Sequence, residues 1–215
     1  VPARAPGSGR GEGVSVFVVP GDAPGVTRRR HVTMDATRRL AEVVLEDVEV
    51  GPDARLGEED EGGRPLLRAL DRAAVALAAE QVGGAQRCLD MAVAHAKERV
   101  QFGRPIGGFQ AVKHLLADVM VSVEAARSGV YAAACVAAGG AHEGGPELRG
   151  MASLAKAKAS EAYFHAAAQA LQVFGGVGFT WEYDVHLHLK RARAGEHLLG
   201  SPALHRERVA RRLGL

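Results

Sequence analysis

Cysteine is scarce in this 215-residue chain: there are two, Cys88 and Cys135, which form neither a disulfide framework nor a thiolate metal spacing. That usage fits a reducing, cytoplasmic setting. Long apolar runs are also missing. A bilayer span takes about 18 to 20 such residues, and the longest candidate, YAAACVAAGGA from Tyr131 to Ala141, falls well short. No charged-then-apolar leader opens the chain. Net charge is nearly absent too, at +2. Arg28, Arg29 and Arg30, and later Arg206, Arg208, Arg211 and Arg212, are local basic clusters that read as solvated faces. Neither nucleic acid nor a membrane is therefore expected as a partner. The 47% of hydrophobic residues suffices to bury a core in one large or two small domains. The chain opens on Val1 rather than Met, which points to a segment preceding it.

Two materials follow one another along the chain. In residues 1–60, VSVFVVP (Val14 to Pro20) and LAEVVLEDVEV (Leu40 to Val50) are rich in β-branched residues and bounded by Gly, Pro and Asp, as strands are. Two strands are not a stable sheet in water, so this front reads as part of a β domain completed elsewhere. Residues 61–215 have helical periodicity. Leu66, Leu70, Ala74, Leu77, Gln81, Ala85, Cys88 and Ala92 predict one helix reaching about Arg99. Phe109, Val112, Leu116, Val119, Val123, Ala126 and Val130 predict a second, to about Ala138. Between them Pro105 and its flanking glycines stop the helix.

A third helix, about Glu147 to Phe174, carries Ala152, Ala155, Ala159, Ala162, Ala166 and Ala170, a small-residue stripe that permits close helix approach. A fourth is expected from about Glu182 to Ala194. A fifth starts at Pro202 behind Ser201 as N-cap. The fold class is mainly α, an antiparallel helical bundle preceded by the last strands of a β domain.

Several segments could carry chemistry. In ERVQFGRPIGGFQ (Glu98 to Gln110), Arg99 ends a helix beside a glycine-rich turn, with the amides of Gln101 and Gln110 on either side. A guanidinium and exposed N–H groups suit a phosphate, although an ordinary capped helix and loop would use the same residues. QVFGGVGF (Gln172 to Phe179) echoes a dinucleotide glycine loop but follows a helix rather than a strand, so it reads as a helix C-cap. His186 and His188 point about 200° apart on a helix and cannot share a metal. His197 and His205 lack companions for a metal site or a Ser-His-Asp triad, and both read as incidental.

The order of these segments is more specific than any one of them. A long helix ending ERVQFGRPIGGFQ, then LADV, then an alanine-rich helix entering QVFGGVGFTWEYDVHLHLKRA, resembles the C-terminal part of the acyl-CoA dehydrogenase family. GVSVFVVPGDAPGV and VVLEDVEVGPDARLG resemble the last strands of that family's middle β domain. The resemblance implies FAD as cofactor and α,β-dehydrogenation of an acyl-CoA thioester, in a homo- or hetero-oligomer (a dimer of dimers) that passes electrons to an acceptor protein. It implies that Arg99 meets the FAD pyrophosphate with Gln101 and Phe102 beside it, and that Gln110 follows on the same loop. Gln172, Gly175 and Gly176 would reach FAD across a subunit interface.

The family's catalytic glutamate has no counterpart here. Its usual position falls on Leu199, followed by Gly200 and Ser201, and its alternative position falls on Ala73. No catalytic residue is therefore assigned. Glu80 lies roughly 10 Å beyond Ala73 along the helix, and Glu196 about one turn before Leu199, which leaves Glu196 as the alternative base. The corner LLGSP resembles base-less subunits of bacterial heteromeric members, among them enzymes of steroid side-chain thioesters. The expectation is a fragment or non-base-bearing subunit; a competent dehydrogenase using Glu196 and a cofactor-free helical scaffold are the alternatives.

Overall fold

The computed structural model describes residues 1–9, 12–139 and 146–215. The chain separates into two compact units, Val1–Leu70 and Asp71–Leu215. The first holds β1 (Pro2–Arg4), β2 (Val14–Phe17), β3 (Val26–Arg30), β4 (Ala41–Leu45) and β5 (Arg55–Leu56). One antiparallel sheet has the order β1-β2-β5 and the other pairs β3 with β4, Val26 opposite Leu45 through Arg30 opposite Ala41. Strand β3 is absent from the sequence expectation because VTRRR shows no apolar alternation. It is held by ladder pairing and by Arg29, whose guanidinium donates to Glu42 across the hairpin at 2.9 Å. The second expected strand is shorter than its apolar stretch, and Asp47 leaves extended geometry at φ +49°. Every residue of β4 is exposed, which accounts for its imperfect period of two: within this unit neither face is covered.

Helix α1 (Gly63–Glu98) begins in the first unit and continues into the second, where β6 (Val100–Gln101) and β7 (Arg104–Pro105) make a short hairpin before α2 (Gln110–Ala138). α3 (Pro146–Phe174), α4 (Val185–His197) and α5 (Pro202–Arg212) complete the bundle. The alanine stripe is the spine of this core: Ala152, Ala155, Ala159, Ala162, Ala166 and Ala170 are all at most 1% exposed. α3 packs on α2, α4 and α5, so it is buried nearly all round. Ala74, Leu77, Gln81, Ala85, Cys88 and Ala92 form the buried face of α1, whereas Leu70, assigned to the same stripe, is exposed at the end of the first unit. Ser201 accepts the N–H of Leu204 as the N-cap of α5. α4 starts three residues later than its pattern suggests, because residues 180–184 form turns, and it runs on through His197.

α2 is long and apolar enough to cross a membrane by length and composition. Counting consecutive apolar residues misses this because single polar residues interrupt the run. Its Val119, Val123, Ala126, Val130 and Ala133 are buried and it packs against α3, while Lys113, Asp118 and Glu124 lie on its exposed side. That is the behaviour of a bundle helix with one buried stripe.

Candidate functional site

Two regions carry the residues singled out above. At the first, α1 stops at Glu98, the Arg99 N–H still reaches the His95 carbonyl at 2.8 Å, and the Arg99 carbonyl accepts from Ile106 at 2.8 Å. This closes a two-residue hairpin with Phe102 (φ +52°) and Gly103 (φ +76°) at its tip. Two successive left-handed residues match the twist of a tight hairpin. Glycine accepts that conformation without cost and phenylalanine does not, yet the Phe102 ring stands 91% exposed, edge-on to Phe109 at 6.1 Å. Arg99 and Gln101 are exposed beside it, and Gln101 Nε2 donates to the Val100 carbonyl at 2.9 Å. Gln110 opens α2 and contacts His114 Nε2 through its amide at 2.8 Å.

Gln172, Gly175 and Gly176 sit where α3 ends. Gly175 adopts φ +64° and begins a 3-10 turn, Gly175–Phe179. All three are exposed, and a Cβ added at Gly175 or Gly176 would meet nothing within 4 Å. His95, one turn before Arg99, stacks on Phe174 with ring centroids 4.1 Å apart and planes 14° from parallel, and Tyr183 closes edge-on over Phe174 at 5.2 Å. This contact sets the end of α1 beside the end of α3. The antiparallel order then brings Arg99, Gln101, Phe102, Gln110, Gln172, Gly175 and Gly176 to one end of the bundle.

The second region is the corner after α4. Leu198 leaves the helix, Leu199 adopts φ +60° and Gly200 φ +114°. The Leu199 side chain is half-buried against the cluster that contains Ala74, Ala78 and Ala152. Its carbonyl accepts from His205 Nε2 at 3.1 Å, so Nε2 carries the proton; His205 is 1% exposed and its Nδ1 has no partner among the described residues. His205 is thus a tether of the corner and not an incidental residue. Behind it Lys156, fully buried, donates to the carbonyls of Gly195, Glu196 and Gly200 at 3.2, 3.3 and 3.4 Å. Sequence reading passed over Lys156; the available signal was a charge with Ser160 four residues on, inside an otherwise small-residue helix.

Neither substitute carboxylate is idle. Glu196 accepts from Arg193 at 2.7 Å and Glu80 pairs with Arg191 at 2.9 Å. From Lys156 to Phe174 along α3 is roughly 27 Å at about 1.5 Å per residue, so the corner and the Arg99 end face different places on one chain. His186 packs against Trp181 and His188 accepts or donates at Tyr163 OH, 2.9 Å away, so the two diverge. Burial pushes the Cys88 thiol up to about 12, which leaves it no nucleophile at neutral pH.

Burial also holds His95, His188 and His205 below the ordinary histidine value of 6.5. Between that value and the lower folded ones the unfolded chain binds more protons. The stability these groups contribute is therefore complete above about pH 6.5 and is lost as the pH falls through the folded values. Chemical denaturation at stepped pH is expected to show the midpoint falling once the solution is more acidic than pH 6.5; a midpoint insensitive to acid down to the carboxylate range would contradict this.

The model of the acyl-CoA dehydrogenase C-terminal domain matches residues 60–214. The chain is 47% identical over 171 residues to acyl-CoA dehydrogenase IpdE2 of Mycobacterium tuberculosis, covering 79% of this chain and 46% of that protein. Its structure superposes on butyryl-CoA dehydrogenase from Megasphaera elsdenii with a TM-score of 0.88 at 32% identity, covering 95% of this chain and 53% of the other. It superposes on a chain of the ChsE4-ChsE5 complex from Mycobacterium tuberculosis with a TM-score of 0.86 at 28% identity, covering 100% and 54%. The chain spans about half the length of the relatives it matches. On the domain match and on the helical architecture that carries it, the chain belongs to the acyl-CoA dehydrogenase family.

Proposed function

We propose that this chain contributes flavin contacts and a base-free corner to an FAD-dependent acyl-CoA α,β-dehydrogenase, and that a partner subunit carries the proton-abstracting glutamate. The observation that supports it is the corner itself: Leu199, the residue on which the family resemblance puts the base, has its carbonyl held by His205 and its side chain against the core. An alkyl side chain accepts no proton; it can only shape and dry the wall it faces. Glu196, the alternative base, lies before the corner and is bound to Arg193, and a base needs direct reach of about 3 Å to its proton. In this reading residues 1–60 are the end of a middle β domain and residues 61–215 the C-terminal bundle. The setting is cytoplasmic, and electrons leave to an acceptor protein.

The residues at the Arg99 end suit FAD. A guanidinium binds phosphate oxygens in pairs, the exposed amides of Gln101, Gln110 and Gln172 offer donors and acceptors, and the open backbone at Gly175 and Gly176 allows close approach. When bound, FAD supplies the hydride acceptor for desaturation. The separation of this end from the corner favours its serving a flavin whose reaction centre belongs to a neighbouring subunit, which makes oligomerisation part of the site. The ChsE4-ChsE5 complex among its structural neighbours supports a heteromer as the form in which the chain works.

The isolated chain is expected to purify without flavin absorbance and to gain it when assembled with a family subunit that carries the corner glutamate. Stoichiometric FAD and dehydrogenase activity in the isolated monomer would overturn the reading. In the assembly, Arg99→Ala removes a charge-assisted contact and is expected to weaken FAD retention by roughly 10- to 100-fold. Arg99→Lys recovers part of this, because a point charge lacks the paired geometry; equilibrium dialysis against FAD reads both.

A further inference from the structure

Lys156 is a charged side chain in the centre of an alanine-rich core, and the cofactor and corner assignments leave it unused. Its ammonium group donates to Ser160 Oγ at 2.8 Å, and Ser160 in turn donates to Gln81 Oε1 at 3.1 Å, so α1 and α3 together aim the group. Its remaining hydrogens are shared among the carbonyls of Gly195, Glu196 and Gly200. The first two are acceptors that a helix C-terminus leaves unpaired and the third belongs to the corner beyond it; a cation there also meets the negative end of the helix dipole.

We propose that Lys156 is a positioning residue: held by Ser160 and Gln81, it clamps the end of α4 and the following corner, and thereby fixes the direction of Leu199. The inference about Leu199 facing substrate rests on the proposed function; the clamp does not.

The clamp depends on charge, since an ammonium group has three hydrogens and a neutral amine two, against four acceptors. Burial brings the Lys156 pKa down from 10.5 to about 8, with the Glu196 carboxylate acting in the opposite direction. The other groups around it are defined. Glu196 on α4 is tied to Arg193, α1 contributes neutral Gln81 through Ser160, and α5 contributes His205, which itself feels Arg208 and the Asp71 that pairs with Arg149. The buried face of α2 is apolar. Because the folded chain binds fewer protons at Lys156 than the unfolded chain between pH 8 and 10.5, this group's contribution to global stability rises with pH across that window. Alkaline loosening of the corner is thus distinct from unfolding.

The test uses the full 215-residue chain with ¹³C at the lysine Cε positions, titrated from about pH 7 to about pH 11. The Lys156 resonance and the amide resonances of Leu199, Gly200 and Ser201 are expected to move with one midpoint, while Ala166 and Ala170 stay still. Corner amides that do not move while Lys156 titrates overturn the proposal. In parallel, Lys156→Met is expected to raise hydrogen exchange at Leu199, Gly200 and Ser201 by roughly 10- to 100-fold, with Ala166 and Ala170 unchanged. Equal protection of the corner in that variant overturns it as well, and a variant that does not fold leaves the decision to the titration. Neither readout involves flavin or substrate, so a negative result here leaves the proposed function standing, and absent flavin binding leaves the clamp standing.

Discussion

Replacing Leu199 by Glu in the flavin-loaded assembly is expected to raise proton abstraction at this corner by roughly 10²- to 10⁴-fold, the usual contribution of a positioned general base. The backbone asks nothing new of the substituted residue. Position 199 already holds a side chain at φ +60°, and the His205 and Lys156 contacts go to main-chain carbonyls that any residue supplies. The lost apolar contact is partial, because Leu199 is only half-buried, so a cost on the order of 1 kcal/mol in stability is expected. The measurement is exchange of the α-hydrogen of a saturated acyl-CoA with deuterated solvent, together with turnover to an electron acceptor. Leu199→Gln, of the same shape as Glu but without its basicity, should remain at the starting rate. If the Glu and Gln variants behave alike, Leu199 is not at the reacting end of a substrate site.

The second large effect concerns two adjacent glycines of α1 that carry opposite expectations. A Cβ at Gly84 would press into the Tyr163 ring, 2.7 Å from Cε2 and 2.8 Å from the hydroxyl oxygen. The ring is 2% exposed and its hydroxyl is bonded to His188, so it has nowhere to move. Gly84→Ala is expected to cost about 1–3 kcal/mol by overpacking, a fall in Tm of roughly 3–10 °C in a chain of this size. Gly83 is exposed, with nothing within 4 Å of an added Cβ. There alanine only improves helix propensity, and Gly83→Ala is expected to stabilise by about 0.5–1 kcal/mol. Thermal denaturation of the two variants should give shifts of opposite sign. In a Tyr163→Leu background the penalty at Gly84 should largely vanish, since neighbours that share a contact are not additive.

The helices and their faces were legible because each rests on local information. The alanine positions of α3 recur at three- and four-residue steps, and burial follows that recurrence. Ser201-Pro202 marks the start of α5 through hydrogen bonding that four residues determine among themselves. Strand β3 was not legible, because VTRRR is a strand only through its ladder with β4. The bounds of α2 were legible, but counting uninterrupted apolar residues missed that it is long and apolar enough to cross a membrane; what decides its burial is one stripe against α3. Of the candidate site, the residues at the Arg99 end were picked out as a set by family resemblance, and the structure decides only where they lie. Their convergence depends on His95 stacking on Phe174, a contact between helices that no spacing encodes.

What the sequence by itself determined is the material of the protein: helical periods, capping residues, glycines where the chain must turn, and an aliphatic side chain at residue 199. What only the tertiary structure decided is which buried polar groups hold that corner. Lys156, Ser160, Gln81 and His205 come from three helices, and each is an unremarkable residue in its own segment. Packing removes them from water, and a buried donor must then find an acceptor. The acceptors at hand were the loose carbonyls at the end of α4 and in the corner after it, so the need to satisfy the buried cation and imidazole settled the geometry around Leu199.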